Sequence, residues 1–287
     1  KLAGMPNVQA AVNMALLDIT GKAAKAPVYQ VLGGPTRHKA RAMARVLAQD
    51  EAGILEAVKA GSAAGFRAFL VPVVMPASRN AGQVFAIANR KRMELLRAAG
   101  GAQSDFAIDC SASLTPGDAG TLSDVLERMH PLWLDEPCEL TNLGAIRKVA
   151  SERVTPLGFG RFVTRGATFQ DLLREDLIDV FRPDIALNGI TQIRKFATLA
   201  ETNYVAVAPY HDGGPVGTAA ALHLAASLPN FFIQQVAFNR NEADLRFRAN
   251  LVGAPGLETV KDGSFALPSG VGLGISVNES MLGKEVA

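Results

Sequence analysis

Two periodicities alternate along this chain. Short apolar runs of strand type are separated by stretches in which apolar residues recur every three or four positions, the helical period. Strands are predicted at residues 41–47, 66–74, 106–108, 132–134, 155–159, 178–181, 204–208 and 231–236. Pro72 should end the second of these near Val71, because proline cannot donate to a ladder. Helices are predicted over residues 7–25, 52–64, 81–99, 117–129, 143–150, 169–174, 189–201 and 216–228. The first carries Val8, Ala11, Val12, Ala15, Leu16 and Ile19 as one stripe, and the last is so apolar that it should be buried.

The residues that close the later apolar runs are Asp109, Asp135, Gly160, Asp184, Tyr210 and Gln235, at intervals of 26, 25, 24, 26 and 25. A strand-then-helix unit repeating at this interval is the sequence form of an α/β fold, either a (β/α) barrel or a doubly wound sheet. The barrel is preferred: no dinucleotide-type glycine fingerprint follows a first strand, and polar residues close several strands instead of gathering at one switch point. Parallel strands joined by a crossover helix end on the same side of the sheet, so Asp109 and Asp135 can converge. The expected organisation is a helical lead-in over residues 1–40, a barrel over 41–236 and a tail over 237–287. The tail breaks the rhythm, shows a short strand pattern at 272–277, and should pack outside the barrel.

Composition narrows the class. With 287 residues, 48% of them hydrophobic, the chain can bury a sizeable core. The balance of 29 basic and 27 acidic residues gives no electrostatic reason to expect nucleic acid or an anionic membrane as partner. Two cysteines, Cys110 and Cys138, are too few for a disulfide framework, which favours a reducing, cytoplasmic setting. No signal peptide or membrane span is visible.

Several segments, in order and at matching spacing, carry a family resemblance: the opening AAVNMALLDITGKAAKAPVYQVLGG, the strand ends AIDCSA and LWLDEP, the segment FRPDIALNGIT, and APYHDGGPVGTAAALHLAASLPNFFI. The chain resembles the enolase superfamily of mandelate racemase type, and most of all its acid-sugar dehydratases. The resemblance implies a (β/α)7β barrel of TIM type. It also implies a capping domain largely missing from this chain, toward which the C-terminal tail would return. Mg²⁺ held by ligands on strands three, four and five would bind a substrate carboxylate, a base would remove the adjacent proton, and an acid would expel the β-hydroxyl.

Carried over by position, Asp109 stands at the first metal ligand and Asp135 at the second, where glutamate is usual. At the third the chain reads Gly160-Arg161, without the family's acid. Leu70 falls where a strand-two lysine is often found, Ser111 where the dehydratases have histidine, and Gln235 where the last strand has glutamate. Asp184 matches the strand-six aspartate of a His-Asp dyad, whose histidine aligns with Tyr210; Tyr210 and Asp184 are catalytic candidates, and His211, one residue later, is the candidate base. Arg161, Ser111, Gln235 and Glu136 are the candidate substrate-binding residues, although Glu136 has a simpler role in local hydrogen bonding.

The expected function is a divergent, metal-assisted lyase that dehydrates an acid sugar, with Mg²⁺ at Asp109 and Asp135 and the acid-base pair His211 and Asp184. A racemase or epimerase of the same superfamily is an alternative. So is a catalytically impaired barrel in which Arg161 binds a small carboxylate or phosphate without metal. A homo-oligomer is expected, since a barrel without its cap exposes apolar surface.

Overall fold

The structure is a computed structural model that describes residues 4–238 and 241–282. Eight parallel strands form its centre: β1 (Lys39–Val46), β2 (Ala68–Pro72), β3 (Asp105–Asp109), β4 (Leu134–Asp135), β5 (Leu157–Phe159), β6 (Val180–Phe181), β7 (Ala206–Val207) and β8 (Gln234–Phe238). Each of β1 to β6 pairs with its successor, and β8 returns to pair with β1. The named strands β7 and β8 share no ladder; the bridge Val207↔Phe231 joins the chain there. A pair α1 (Pro6–Ala23) and α2 (Val28–Val31) precedes the strands. One helix lies in each of the seven connections: α3 (Glu51–Ala63), α4 (Gly82–Gly100), α5 (Pro116–Leu126), α6 (Leu143–Glu152), α7 (Gly166–Arg174), α8 (Ile185–Glu201) and α9 (Pro215–Ser227). This is the (β/α)7β order expected.

The strand period of two sorts side chains into two cores. On β1, Ala40, Ala42, Ala44 and Val46 join the large core between strands and helices. Met43 belongs instead to a smaller cluster with Ala68, Leu70, Ala107, Trp133, Val180, Ala208 and Ile233, which fills the barrel interior. Leu70, which the resemblance sets where a strand-two lysine is often found, is therefore a fully buried packing residue. Helix α9 is buried from Thr218 to its end at Ser227, in keeping with its small apolar composition.

Three details depart from expectation. Helix α8 starts at Ile185, capped by Asp184, and breaks at Gly189, whose φ of 65° and ψ of 176° are not helical. A Cβ at Gly189 would stand 2.9 Å from Asn13 Oδ1 and 3.2 Å from the Ala10 backbone, so glycine lets α1 approach α8. The strand pattern at 272–277 is not a strand; only the isolated bridges Pro27↔Gly272 and Val252↔Val277 fall there. The tail instead forms α10 (Glu242–Leu251) and a hairpin of β9 (Val260–Lys261) and β10 (Ser264–Ala266). Strand β10 pairs antiparallel with the start of β1, Lys39 opposite Ala266.

Helix α1 packs its inner side, with Ala10 buried, on α8. Its outer side leaves Val8, Val12, Leu16 and Ile19 exposed, as is Met5 just before the helix.

Candidate active site

The strand ends meet in a closed ring of charged and polar side chains. Register sets their level: Asp109 lies opposite Asp135, and Asp135 opposite Gly158. Arg161 Nη2 lies 3.0 Å from Asp109 Oδ1 and also contacts Asp135 Oδ2. Arg182 Nε donates to Asp135 Oδ1 at 2.9 Å, and Arg182 Nη2 donates to Gln235 Oε1. Gln235 Nε2 donates to Asp212 Oδ1 at 2.6 Å. Arg45 closes the circuit, pairing with Asp212 and reaching Asp109 Oδ2 at 3.4 Å. Three guanidiniums and three carboxylates thus alternate, with one amide relay, and their formal charges cancel.

Neighbouring groups fix the ring. Trp133 Nε1 donates to Asp135 Oδ1 at 2.9 Å. A Cβ on Gly158 would run into the Trp133 indole, so that glycine is what admits the tryptophan. Ser111 donates to Asp109 Oδ1 through its backbone N–H at 3.0 Å and its hydroxyl at 3.2 Å. The Tyr210 hydroxyl donates to Asp212 Oδ2 at 2.8 Å, and its ring lies 5.0 Å from the Arg161 guanidinium carbon, within cation–π range. Arg182 Nη1 also donates to the Ala208 carbonyl at 2.6 Å.

Burial makes these pairings consequential. Asp135 and Arg182 are 0% exposed, and Asp109 and Arg161 are also buried. Burial alone would push the Asp135 pKa up, but Arg182 and Arg161 outweigh it and hold it below the usual carboxylate value. Burial likewise opposes the charge on Arg161, and Asp135 and Asp109 overcome it, raising its pKa. Burial and the neighbouring Asp212 push the Tyr210 phenol up to about 12. Glu136 sits behind the ring in a left-handed conformation, φ 45°, and accepts the backbone N–H groups of Gly160 at 2.7 Å and Arg161 at 2.8 Å. Burial, with Asp135 beside it, lifts its pKa to about 7. Its contacts are those of a local brace for the Gly160-Arg161 turn.

The expected dyad does not assemble. Asp184 accepts from Ala186 N–H at 2.7 Å as the α8 N-cap, the ordinary role of an aspartate before a helix. His211 is buried, and its Nε2 lies 3.1 Å from the Gly214 carbonyl. Its ring packs so closely on Gly213 and Gly217 that a Cβ at either would meet the imidazole. Burial lowers its pKa, and the charged groups acting on it are Glu258, Arg248 and Asp212, not Asp184. The one-residue shift from Tyr210 to His211 thus turns the imidazole under α9 and leaves the phenol in the mouth.

Nor does the donor set suit Mg²⁺. A divalent ion of this kind takes oxygen ligands near 2.1 Å, whereas the space between Asp109 and Asp135 holds a guanidinium nitrogen bonded to both. Among the described residues, no three His, Cys, Asp or Glu side chains come together in a way that could hold a metal ion. Asp109 and Asp135 therefore converge as expected, but on an arginine.

Arg45, Arg182 and Asp212 belong to the ring yet were not singled out from sequence. Signals for them existed: Arg41, Met43 and Arg45 share one face of β1 by period two, Arg182 follows the apolar end of β6, and Asp212 follows His211.

Comparison with known proteins gives the chain a family. Residues 52–281 match the family model described as enolase C-terminal domain-like. The chain belongs to the enolase C-terminal domain-like family. It is 28% identical to the D-xylonate dehydratase of Haloferax volcanii over 283 residues, covering 93% of this chain and 66% of that protein. It is 29% identical both to the D-galactonate dehydratase of Verminephrobacter eiseniae and to a Sphingomonas D-mannonate dehydratase, covering 95% of this chain and 72% of each. The chain thus spans about two thirds to three quarters of their lengths. Among solved structures, the mandelate racemase/muconate lactonizing enzyme of Jannaschia sp. superposes with a TM-score of 0.83. It is 27% identical, over 96% of this chain and 73% of that one. The enolase-family barrel is thus shared.

Proposed function

We propose that this chain is a small-molecule-binding barrel of the acid-sugar dehydratase lineage, which receives a hydroxy-carboxylate at its mouth without a divalent cation. One observation carries the reading: Arg161 bridges Asp109 and Asp135 where the lineage calls for a metal. The Nε groups of Arg45 and Arg161 are buried donors without a hydrogen-bond partner, which supports a carboxylate oxygen as ligand, since orphan buried donors favour an acceptor. Metal-assisted removal of the proton beside a carboxylate needs a Lewis acid and a free base, and this mouth offers a guanidinium and a histidine turned away.

The second reading is a working carbon–oxygen hydro-lyase. It is supported by the relatives named as xylonate, galactonate and mannonate dehydratases at 28–29% identity. One experiment separates the two. The protein is incubated with D-galactonate, D-mannonate and D-xylonate, with and without Mg²⁺, and assayed for the 2-keto-3-deoxy product, while equilibrium dialysis measures binding. Binding without product is expected. Formation of that product by the wild-type chain would establish the hydro-lyase.

We also propose that copies of the chain self-associate through α1. Its exposed Met5, Val8, Val12, Leu16 and Ile19 are spaced symmetrically about Val12, so an antiparallel second copy sets Met5 against Ile19 and Val8 against Leu16, a self-complementary contact. Sedimentation velocity should show a concentration-dependent dimer that Leu16→Glu removes. A monomer at every concentration would refute it.

A further inference from the structure

The contacts of Arg161 go beyond the absence of a good metal site. A single nitrogen, Nη2, touches one oxygen of Asp109 and one of Asp135. That is the arrangement a bridging cation makes, with one positive centre shared by two carboxylates on neighbouring strands. Both acids are buried, so each would destabilise the barrel if left ionised and unpaired. The arginine is held from several sides. Its backbone N–H is accepted by Glu136, its guanidinium stacks over Tyr210, and Gly160 before it adopts φ 131°, which carries the chain sharply off β5. Asp135 is further pinned by Arg182 and Trp133.

We propose that Arg161 is a built-in cation that performs the structural task of a divalent ion, clamping the ends of β3 and β4. Arginine suits the task because its charge cannot be titrated away in the accessible pH range and one terminal nitrogen of its guanidinium carries two N–H donors, one for each carboxylate. The barrel is then fully assembled without divalent metal, and the dependence on metal has been exchanged for dependence on one side chain. Removing that side chain re-creates the need: Arg161→Gln leaves two converging acids with one guanidinium fewer, and Arg161→Glu adds a third carboxylate at the same point, making an oxygen-rich site for Mg²⁺. The inference is independent of any sugar-acid ligand, which the test omits, so its failure is separable from that of the binding reading.

The test is thermal unfolding of the full chain and both variants, in EDTA and in 10 mM MgCl₂. The wild type should melt at the same temperature in both. Each variant should lose about 10 °C in EDTA, the scale of a broken buried ion pair in a domain of this size. Each should recover several degrees with Mg²⁺, the Glu variant more than the Gln. A wild-type melting temperature that rises with Mg²⁺ would overturn the proposal, because the ion would then be displacing or supplementing the arginine. So would a Gln variant as stable as wild type in EDTA. Variants that stay unfolded or equally unstable in both buffers would also overturn it, since a divalent ion should then substitute.

Discussion

At Asp135 the decisive balance is between desolvation and pairing. A carboxylate with 0% exposure stays ionised because Arg182 and Arg161 both bond it. Its replacement by Asn should therefore leave two buried cations undercompensated and cost about 3–5 kcal/mol, measured by urea unfolding. Elsewhere two buried titratable groups pull stability in opposite directions with pH. His223, whose Nδ1 accepts from Tyr29 N–H at 3.3 Å, has its pKa lowered by burial from 6.5 to about 4. The unfolded chain takes that proton first, so its contribution is complete above pH 6.5 and is lost as pH falls toward 4. Glu136 has the reverse sign: its pKa is raised from 4.5 to about 7, so stability is lost as pH rises through that window. Each swing is on the order of 3 kcal/mol at 1.36 kcal/mol per unit, so they largely offset in the wild type. His223→Phe should uncover a stability that falls from pH 5 to 7, and Glu136→Gln one that rises from pH 4.5 to 6.5. A parallel pH profile for both variants would contradict the assignment.

Among the elements, legibility followed burial. Strand β3 and helices α3, α4, α6 and α9 lie within a residue or two of their expected bounds, because each has a one-sided or all-round apolar pattern that tertiary packing reinforces. The tail was read least well. Its β9–β10 hairpin is only a few residues long and gains its stability from pairing with β1, a long-range partner that no local pattern announces. The same limit applied to the site. That Asp109 and Asp135 converge was legible from two parallel strands ending in acids, whereas Arg45, Arg182 and Asp212 acquire meaning only when the ring closes. His211 shows the opposite failure: its position beside Tyr210 was visible, but the direction of its side chain depends on the close approach of Gly213 and Gly217. Asp184 gives this scale its own prediction. As an N-cap its replacement by Ala should lower stability by about 1 kcal/mol, checked by urea unfolding, and should leave ligand binding unchanged. Loss of binding at wild-type stability would return Asp184 to the mouth.

Over the whole molecule, an enolase-family barrel carries a charge-balanced ring of side chains at its mouth. The strand ends supply the positions, as in any barrel of this type, but what they present is a closed ring of Arg45, Asp109, Arg161, Asp135, Arg182, Gln235 and Asp212. The charges of the ring balance among themselves, and that is why it leaves little demand for an added cation. No helix among the described residues is long and apolar enough to cross a membrane. The most direct measurement is a calorimetric titration of the wild-type chain with MgCl₂ up to millimolar concentration. The account expects no saturable heat. Saturable Mg²⁺ binding that disappears in Asp109→Ala would contradict it, and would restore the two aspartates to the metal site that the family pattern assigns them.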